Sequence, residues 1–254
     1  MCTLLVAPRV WPETRLVVAA NRDELYARPA SPPRVWERGE RRFFAPRDDV
    51  AGGSWIGVAE SGLFVGVTNR SIGGGPSIIS KDRRSRGALV LDALGCETVA
   101  EALEVVRGHG PEAHNPFHLV LVDATDAMVI WSDGWTLHED PLAEGAVHPV
   151  TERSYGAAPS RRDEYLVERG AGLVAAPEPT PEQWRALLGL RFDHASADPM
   201  EAFDDVCVAV PEWGYGTRSS TWVRIGDDGR VRYATIEAPP SEGAFVDISG
   251  KIPW

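Results

Sequence analysis

Apolar residues fall in short runs separated by polar or glycine-rich breaks, the spacing of strands rather than of long helices, over most of the chain. Thr3 to Ala7 and Leu16 to Ala20 are expected to be strands, and Pro8 to Thr14 between them has the content of a hairpin loop. Pro29 to Pro33 reads as an irregular surface stretch. Ser54 to Val58 and Leu63 to Thr68 form a second strand pair about the turn Glu60-Ser61-Gly62, and Gly73 to Pro76 reads as a flexible connection.

The pattern then changes period. Val99, Ala102, Leu103 and Val106 recur at helical spacing, which predicts a helix from Thr98 to Arg107 after one from Arg86 to Leu94. Thr98 with Glu101 has the spacing of a capping box. Strands are expected again at Phe117 to Val122, Met128 to Trp131 and Trp135 to His138. Helices are expected from Ser160, with Asp163 three residues on, and from Thr180, with Pro181 in the first turn and Gln183 completing the cap. Strands at Val206 to Val210, Thr221 to Ile225 and Val231 to Ile236 close the chain, the last two joined at Asp227-Asp228-Gly229. Blocks of strands and helices that segregate in this way imply an α+β layered fold in one domain spanning 1–254.

Composition narrows the function. The 254 residues carry a formal net charge of -11, which disfavours nucleic acid and anionic membrane as partners. Lys81 to Arg86 is a local basic run, open to reading as a solvated loop or as an anion site. No stretch approaches the roughly 20 apolar residues of a membrane span, and the N-terminus has no secretory pattern, so a cytoplasmic location is expected. Cys2, Cys96 and Cys207 contain no Cys-x-x-Cys pair, which argues against a disulfide framework or a zinc knuckle. Cys96 and Cys207 lie in apolar runs and read as core residues. Asn115-Pro116 between His114 and His118 breaks the helix that an i, i+4 metal pair needs. Neither a phosphate-binding P-loop nor a Gly-x-Ser-x-Gly elbow is present, and no metal or cofactor site is expected. The nine tryptophans read as core or rim residues, some of them open to lining an apolar pocket.

The chemistry that remains is at the start. Removal of Met1 would leave Cys2 with a thiol and a free α-amine, whose ordinary pKa values of about 8.5 and 7.7–8.0 let the amine take the thiol proton near neutral pH. Antiparallel pairing of the first two strands brings Asn21-Arg22-Asp23-Glu24 beside Cys2. Asp23 can then accept from the ammonium, Arg22 can clamp a carboxylate or tune the thiolate, and Asn69 at a strand end can face an oxyanion. In an extended segment Asn21 and Asp23 share one face and Arg22 the other, so one pocket holds all three only if the chain turns there. Taken singly, Cys2 also reads as a small residue at a frayed terminus, and Asn-Arg-Asp-Glu as a charged turn.

Met1-Cys2-Thr3, Ala19 to Glu24 with Arg28-Pro29, Gly52 to Gly57, Thr68-Asn69, Arg84 to Gly87 with Leu89-Val90, and Gly214 to Arg218 together resemble the NRDE family, which includes the transport and Golgi organisation 2 proteins. The resemblance implies an N-terminal-nucleophile (Ntn) hydrolase-like αββα sandwich of two antiparallel sheets flanked by helices, distantly similar to cysteine acylases. It implies catalytic roles for Cys2, Asp23, Asn69 and Arg218, and substrate contacts from Asn21, Arg22, Glu24, Arg86, Tyr215 and Thr217. The implied activity is hydrolysis of a non-peptide amide of a small molecule. The alternative is a non-catalytic carrier of haem or of an acyl-lipid or coenzyme A-type ligand, with Cys2, His118 or His148 as haem ligands and Arg83, Arg84 and Arg86 meeting its anionic groups. Two positions depart from these patterns: Ala20 stands where the acylases carry an arginine, and Pro159 where relatives often carry the asparagine of Gly-Leu-Ser-Asn.

Overall fold

The computed structural model describes residues 2–71, 80–155, 159–194 and 198–254. The connection at Gly73 to Pro76 and the Gly156-Ala157-Ala158 positions lie outside them. Strands β1 (Cys2–Pro8) and β2 (Thr14–Leu25) form the first hairpin. They are followed by β3 (Ala30–Arg38), β4 (Arg41–Asp48), β5 (Ile56–Ala59) and β6 (Phe64–Asn69). Helices α1 (Arg86–Leu94) and α2 (Val99–His109) precede β7 (Phe117–Val122), β8 (Ala127–Ser132), β9 (Leu137–Pro141) and β10 (His148–Val150). Helices α3 (Arg161–Val174) and α4 (Pro181–Leu188) lead into β11 (Ala209–Val210), β12 (Tyr215–Gly226), β13 (Val231–Ile236) and β14 (Val246–Asp247).

The described strands make two antiparallel sheets. One has the order β10-β1-β2-β12-β13-β14, with β11 pairing β12. The other runs β3 to β9 in chain order. Alternation sorts each strand into two faces. On the first sheet Leu4, Val6, Leu16, Val18, Ala20, Val223 and Ile225 turn inward and meet Phe44, Ile56, Phe64 and Val120 of the second. The other face of that sheet, with Leu5, Ala7, Val17, Ala19 and Trp222, is covered by Leu166 of α3 and Trp184 and Leu188 of α4. The second sheet packs Val65, Leu119 and Leu121 against Leu89, Val90, Ala102 and Val106 of α1 and α2. The layers are thus helix, sheet, sheet, helix. Among the described residues no helix is long and apolar enough to cross a membrane.

The helix N-caps fall where expected, but the capping box expected at Thr98 is only half formed, because the Glu101 carboxylate accepts from Glu97 N–H rather than from Thr98 N–H. Thr98, Ser160 and Thr180 accept from the backbone three residues on, and Ser160 and Thr180 close full capping boxes. Several strand expectations need correction: of Val206 to Val210 only Ala209–Val210 is strand, and the strand expected at Trp135 to His138 lies at Leu137–Pro141. Pro29 to Pro33 is not irregular: most of it belongs to β3, which tolerates Pro32 and Pro33 because it is an edge strand with a register shift between Ser31 and Arg34. The strand β4 went unread, its Phe43-Phe44-Ala45 core hidden between charged flanks. The strand expected to stop at Ala20 runs on to Leu25, and its partner β12 starts at Tyr215 rather than at Thr221. In both, polar side chains in the strand interior broke the apolar run.

Candidate active site

The extension of β2 determines the site. Cys2 is the cross-strand partner of Arg22, and Thr3 that of Asn21. The segment does not turn, so its residues divide between the faces. Arg22 follows Leu16, Val18 and Ala20 into the space between the sheets, as Cys2 follows Leu4 and Val6. Asn21 and Asp23 point to the helix side. Asn21 gives its amide hydrogens to the Leu188 and Val206 carbonyls at 2.9 and 2.8 Å and accepts from Ser220 Oγ at 2.6 Å. Those bonds tie α4 and the segment before β11 to the sheet, so Asn21 presents no polar atom on the Cys2 face.

Arg22 is 5% exposed, and its guanidinium carbon lies 4.3 Å above the Trp55 ring. A desolvated stack of this kind contributes about 2 kcal/mol. Its Nη2 meets no hydrogen-bond partner among the described residues. Trp55 is held by a close crossing of two chain segments. A Cβ on Gly53 would sit 2.4 Å from the Gly87 carbonyl carbon, and Ser54 N–H donates to Gly87 O at 3.1 Å. The same crossing places Arg86, the first residue of α1, with Nη1 donating to Pro116 O at 3.0 Å. Burial pulls the Arg86 guanidinium down from its ordinary pKa, while nearby Cys2 and Glu24 act against that. Glu24 also pairs with Arg28 at 3.6 Å, and Arg28 with Asp48 at 2.8 Å.

Burial pushes the Cys2 thiol up, and the Asp23 carboxylate pushes in the same direction. The Asp23 backbone N–H, which donates toward the sulfur, and Arg22 favour the thiolate. Asp23 itself is 3% exposed. Burial raises its carboxyl pKa, whereas Arg162 and the Thr217 hydroxyl, donating to Oδ1 at 2.7 Å, hold it toward the ionised form. Tyr215 Oη donates to the Asp23 carbonyl at 3.0 Å, and burial raises its phenol well above the usual value. Asn69 ends β6, the strand whose Gly66 leaves room for Leu4 of β1. Arg218 is the extra residue in a bulge of β12, its guanidinium donating to the Tyr26 carbonyl. Pro159 is exposed and carries no amide.

Two residues absent from the sequence reading lie beneath Asp23. Arg162 of α3 is fully buried, its Nη1 is 3.9 Å from Asp23 Oδ2, and its Nη2 is bonded to the buried carboxylate of Glu152. A signal did exist: Arg162, Leu166 and Gly170 share the buried stripe of α3, so a charge occupies a core-facing position.

The basic run is split. Arg83 donates to the His114 and Gly134 carbonyls, Arg84 pairs with Asp92, and only Arg86 approaches Cys2. His118 is bonded at both ring nitrogens, to Thr68 Oγ1 at 3.1 Å and Ser154 O at 2.8 Å, and His148 Nε2 meets Ala143 O at 2.8 Å. The His118 ring does not fit as an axial haem ligand without losing one of these bonds. Among the described residues no group of three His, Cys, Asp or Glu is placed to hold a metal.

The profile of the Transport and Golgi organisation 2 family matches residues 1–237. The chain belongs to this family. The Transport and Golgi organization protein 2 homolog of Homo sapiens is 26% identical over 86% of this chain and 85% of its own length. Among solved structures, the C2A mutant of conjugated bile acid hydrolase from Clostridium perfringens superposes with a TM-score of 0.52 at 14% identity, covering 98% of this chain and 93% of that one. A second variant of the same hydrolase gives 0.50 at 14% identity, covering 97% and 96%. The family member described here therefore has the Ntn-hydrolase fold that the resemblance implied.

Proposed function

We propose that this protein is an Ntn-type cysteine amidohydrolase acting on a non-peptide amide, with Cys2 as nucleophile after removal of Met1. The observation that carries the reading is the placement of Cys2 at the first position of β1, opposite Arg22 and against the backbone of Asp23, whose carboxylate is buried. Burial keeps the thiol protonated near neutral pH, so it needs a base, and the α-amine on the same residue is the base nearest to hand. The amine takes the thiol proton, Sγ bonds to the amide carbonyl carbon, and the proton passes to the leaving amine as the C–N bond breaks. Water then releases the acyl group by the reverse proton path. Asp23 holds the ammonium form, and Asn69 and Arg218 are the candidates for the oxyanion and the polar cluster. The related hydrolase mutant carries its substitution at a cysteine in position 2, which supports the same assignment here.

The test is intact mass after incubation with N-acyl amino acids and acyl p-nitroanilides. The processed protein should lose Met1 and gain one acyl group, and Cys2→Ala should gain none. Full retention of Met1 in active protein would rule this mechanism out.

A second reading, a carrier of an acyl-lipid or coenzyme A-type ligand, is favoured by one observation. Arg22 is buried with Nη2 unpartnered among the described residues, and Arg86 adjoins the same thiol. Buried guanidinium groups of this kind suit an anion. Coenzyme A binding that is unchanged in Arg22→Met would exclude it.

A further inference from the structure

Among the described residues Arg22, Arg70 and Arg162 are the buried arginines, exposed by 5%, 6% and 0%. Arg162 bonds the Glu152 carboxylate, and Arg70 Nη2 donates to the Tyr155 carbonyl at 3.0 Å. Arg22 has no such partner among the described residues. Its Nη2 is closed off from solvent with no hydrogen bond, and no carboxylate lies within ion-pair reach of it. Glu24 shares its face of β2 but is engaged elsewhere, pairing with Arg28 and accepting from Leu25 N–H at 2.9 Å. The Cys2 thiol, opposite Arg22, is kept neutral by burial and does not answer the charge in the resting protein. Trp55 covers one face of the guanidinium at 4.3 Å, so its N–H edge is what remains to meet a ligand.

A buried guanidinium without an anion is destabilising, and a bound anion relieves it. A planar edge that gives two parallel N–H bonds suits a carboxylate. Alternation along β2 also says which half of a substrate carries that group. Asp23 and Arg22 stand on opposite faces of the strand, so they flank the thiol from two sides. In the proposed reaction the amine held by Asp23 gives its proton to the leaving nitrogen, which puts the amine half of the substrate on the Asp23 side. The acyl half then lies toward Arg22. Directly opposed strand residues have Cα atoms about 4.5–5.5 Å apart, so a carboxylate a few bonds beyond the scissile carbonyl reaches Arg22. We propose that Arg22 is a specificity-determining residue that binds a carboxylate on the acyl half, which makes the substrate class the monoamides of short dicarboxylic acids. This rests on the hydrolase reading and narrows it, but the binding is measurable without turnover.

The experiment uses the full chain with Met1 removed and three probes: succinic acid mono-4-nitroanilide, its methyl ester, and N-butyrylglycine, which carries its carboxylate on the amine half. Binding to the Cys2→Ala protein is measured by calorimetry, and acylation of native Cys2 by intact mass. The acid should bind roughly 10- to 100-fold tighter than its ester, the range for a charge-assisted hydrogen bond. Adding Arg22→Met should bring that ratio close to one. Arg22→Lys, which keeps the charge without the fork, should fall between. The acid should also raise the melting temperature of the parent and not that of Arg22→Met. Equal binding of acid and ester, a ratio that survives Arg22→Met, or an Arg22-dependent gain only for N-butyrylglycine overturns the proposal. If Arg22→Met does not fold, Arg22→Lys decides: a ratio below the parent's supports the proposal, and an unchanged one overturns it. An Arg22-dependent preference with no acyl-enzyme from any amide would leave the carboxylate site standing and remove the hydrolase reading. Acylation at equal rates by acid and ester would do the reverse.

Discussion

Thr217 donates to Asp23 Oδ1 at 2.7 Å because the bulge at Arg218 turns it to the helix side of the sheet. Further along β12, Val223 and Ile225 face the other sheet while Trp222 faces the helices. Unbroken alternation would put Thr217 with Val223, away from Asp23. One extra residue reverses the phase, which is the usual work of a bulge.

Thr217→Val should therefore destabilise the fold by about 1.5–3 kcal/mol, the range for a buried hydrogen bond to a charged group. Thr217→Ser should recover most of it. Urea denaturation of the three proteins checks this, and equal stability of the Val and Ser variants would contradict the bond's importance.

The Cys2 thiol should titrate above an ordinary cysteine, since burial outweighs the help it receives from the Asp23 amide and Arg22. Arg22→Met removes a stabilising positive charge, so the midpoint should rise further and alkylation at pH 8 should slow. Rates of iodoacetamide labelling against pH measure both. A faster Arg22→Met protein would show that Arg22 shields the thiol rather than tuning it.

His118 gives the fold an acid limit. Burial lowers its pKa from 6.5 to about 4. Between those values the unfolded chain takes up a proton that the folded one refuses. Its contribution is complete above pH 6.5, falls as the pH drops toward 4, and is flat below that. The total loss over the window is about 3 kcal/mol. Denaturant midpoints across that window should slope less in His118→Gln, even if that protein is weaker throughout.

Gly53→Ala should be among the most damaging small substitutions, because its Cβ would overlap the Gly87 backbone at 2.4 Å. Overpacking of this sort costs about 1–3 kcal/mol or more. The shift would also move Trp55 and Arg86 together, so Cys2 reactivity should change along with the melting temperature. An unaltered thiol in a destabilised Gly53→Ala protein would uncouple the crossing from the site.

Residue pattern alone was enough for the layered α+β class, for the helices and their caps at Thr98, Ser160 and Thr180, and for the hairpin that brings Cys2 beside Arg22. These rest on local rules: apolar period, cap chemistry and nearest-neighbour pairing. Tertiary structure decided what lies on each side of that hairpin. Polar residues at Asn21, Asp23 and Thr217 read as strand ends because nothing nearby in sequence satisfies them. Their partners include Leu188, Val206 and Arg162, reached only when helices fold back over the sheet. The expected single pocket at Cys2 and the Asn-Arg-Asp-Glu segment is thus two half-sites, with Arg22 beside the thiol and Asp23 in a buried charge cluster beneath it. Alternation along an extended strand separates them, and only long-range packing could show what each half-site meets.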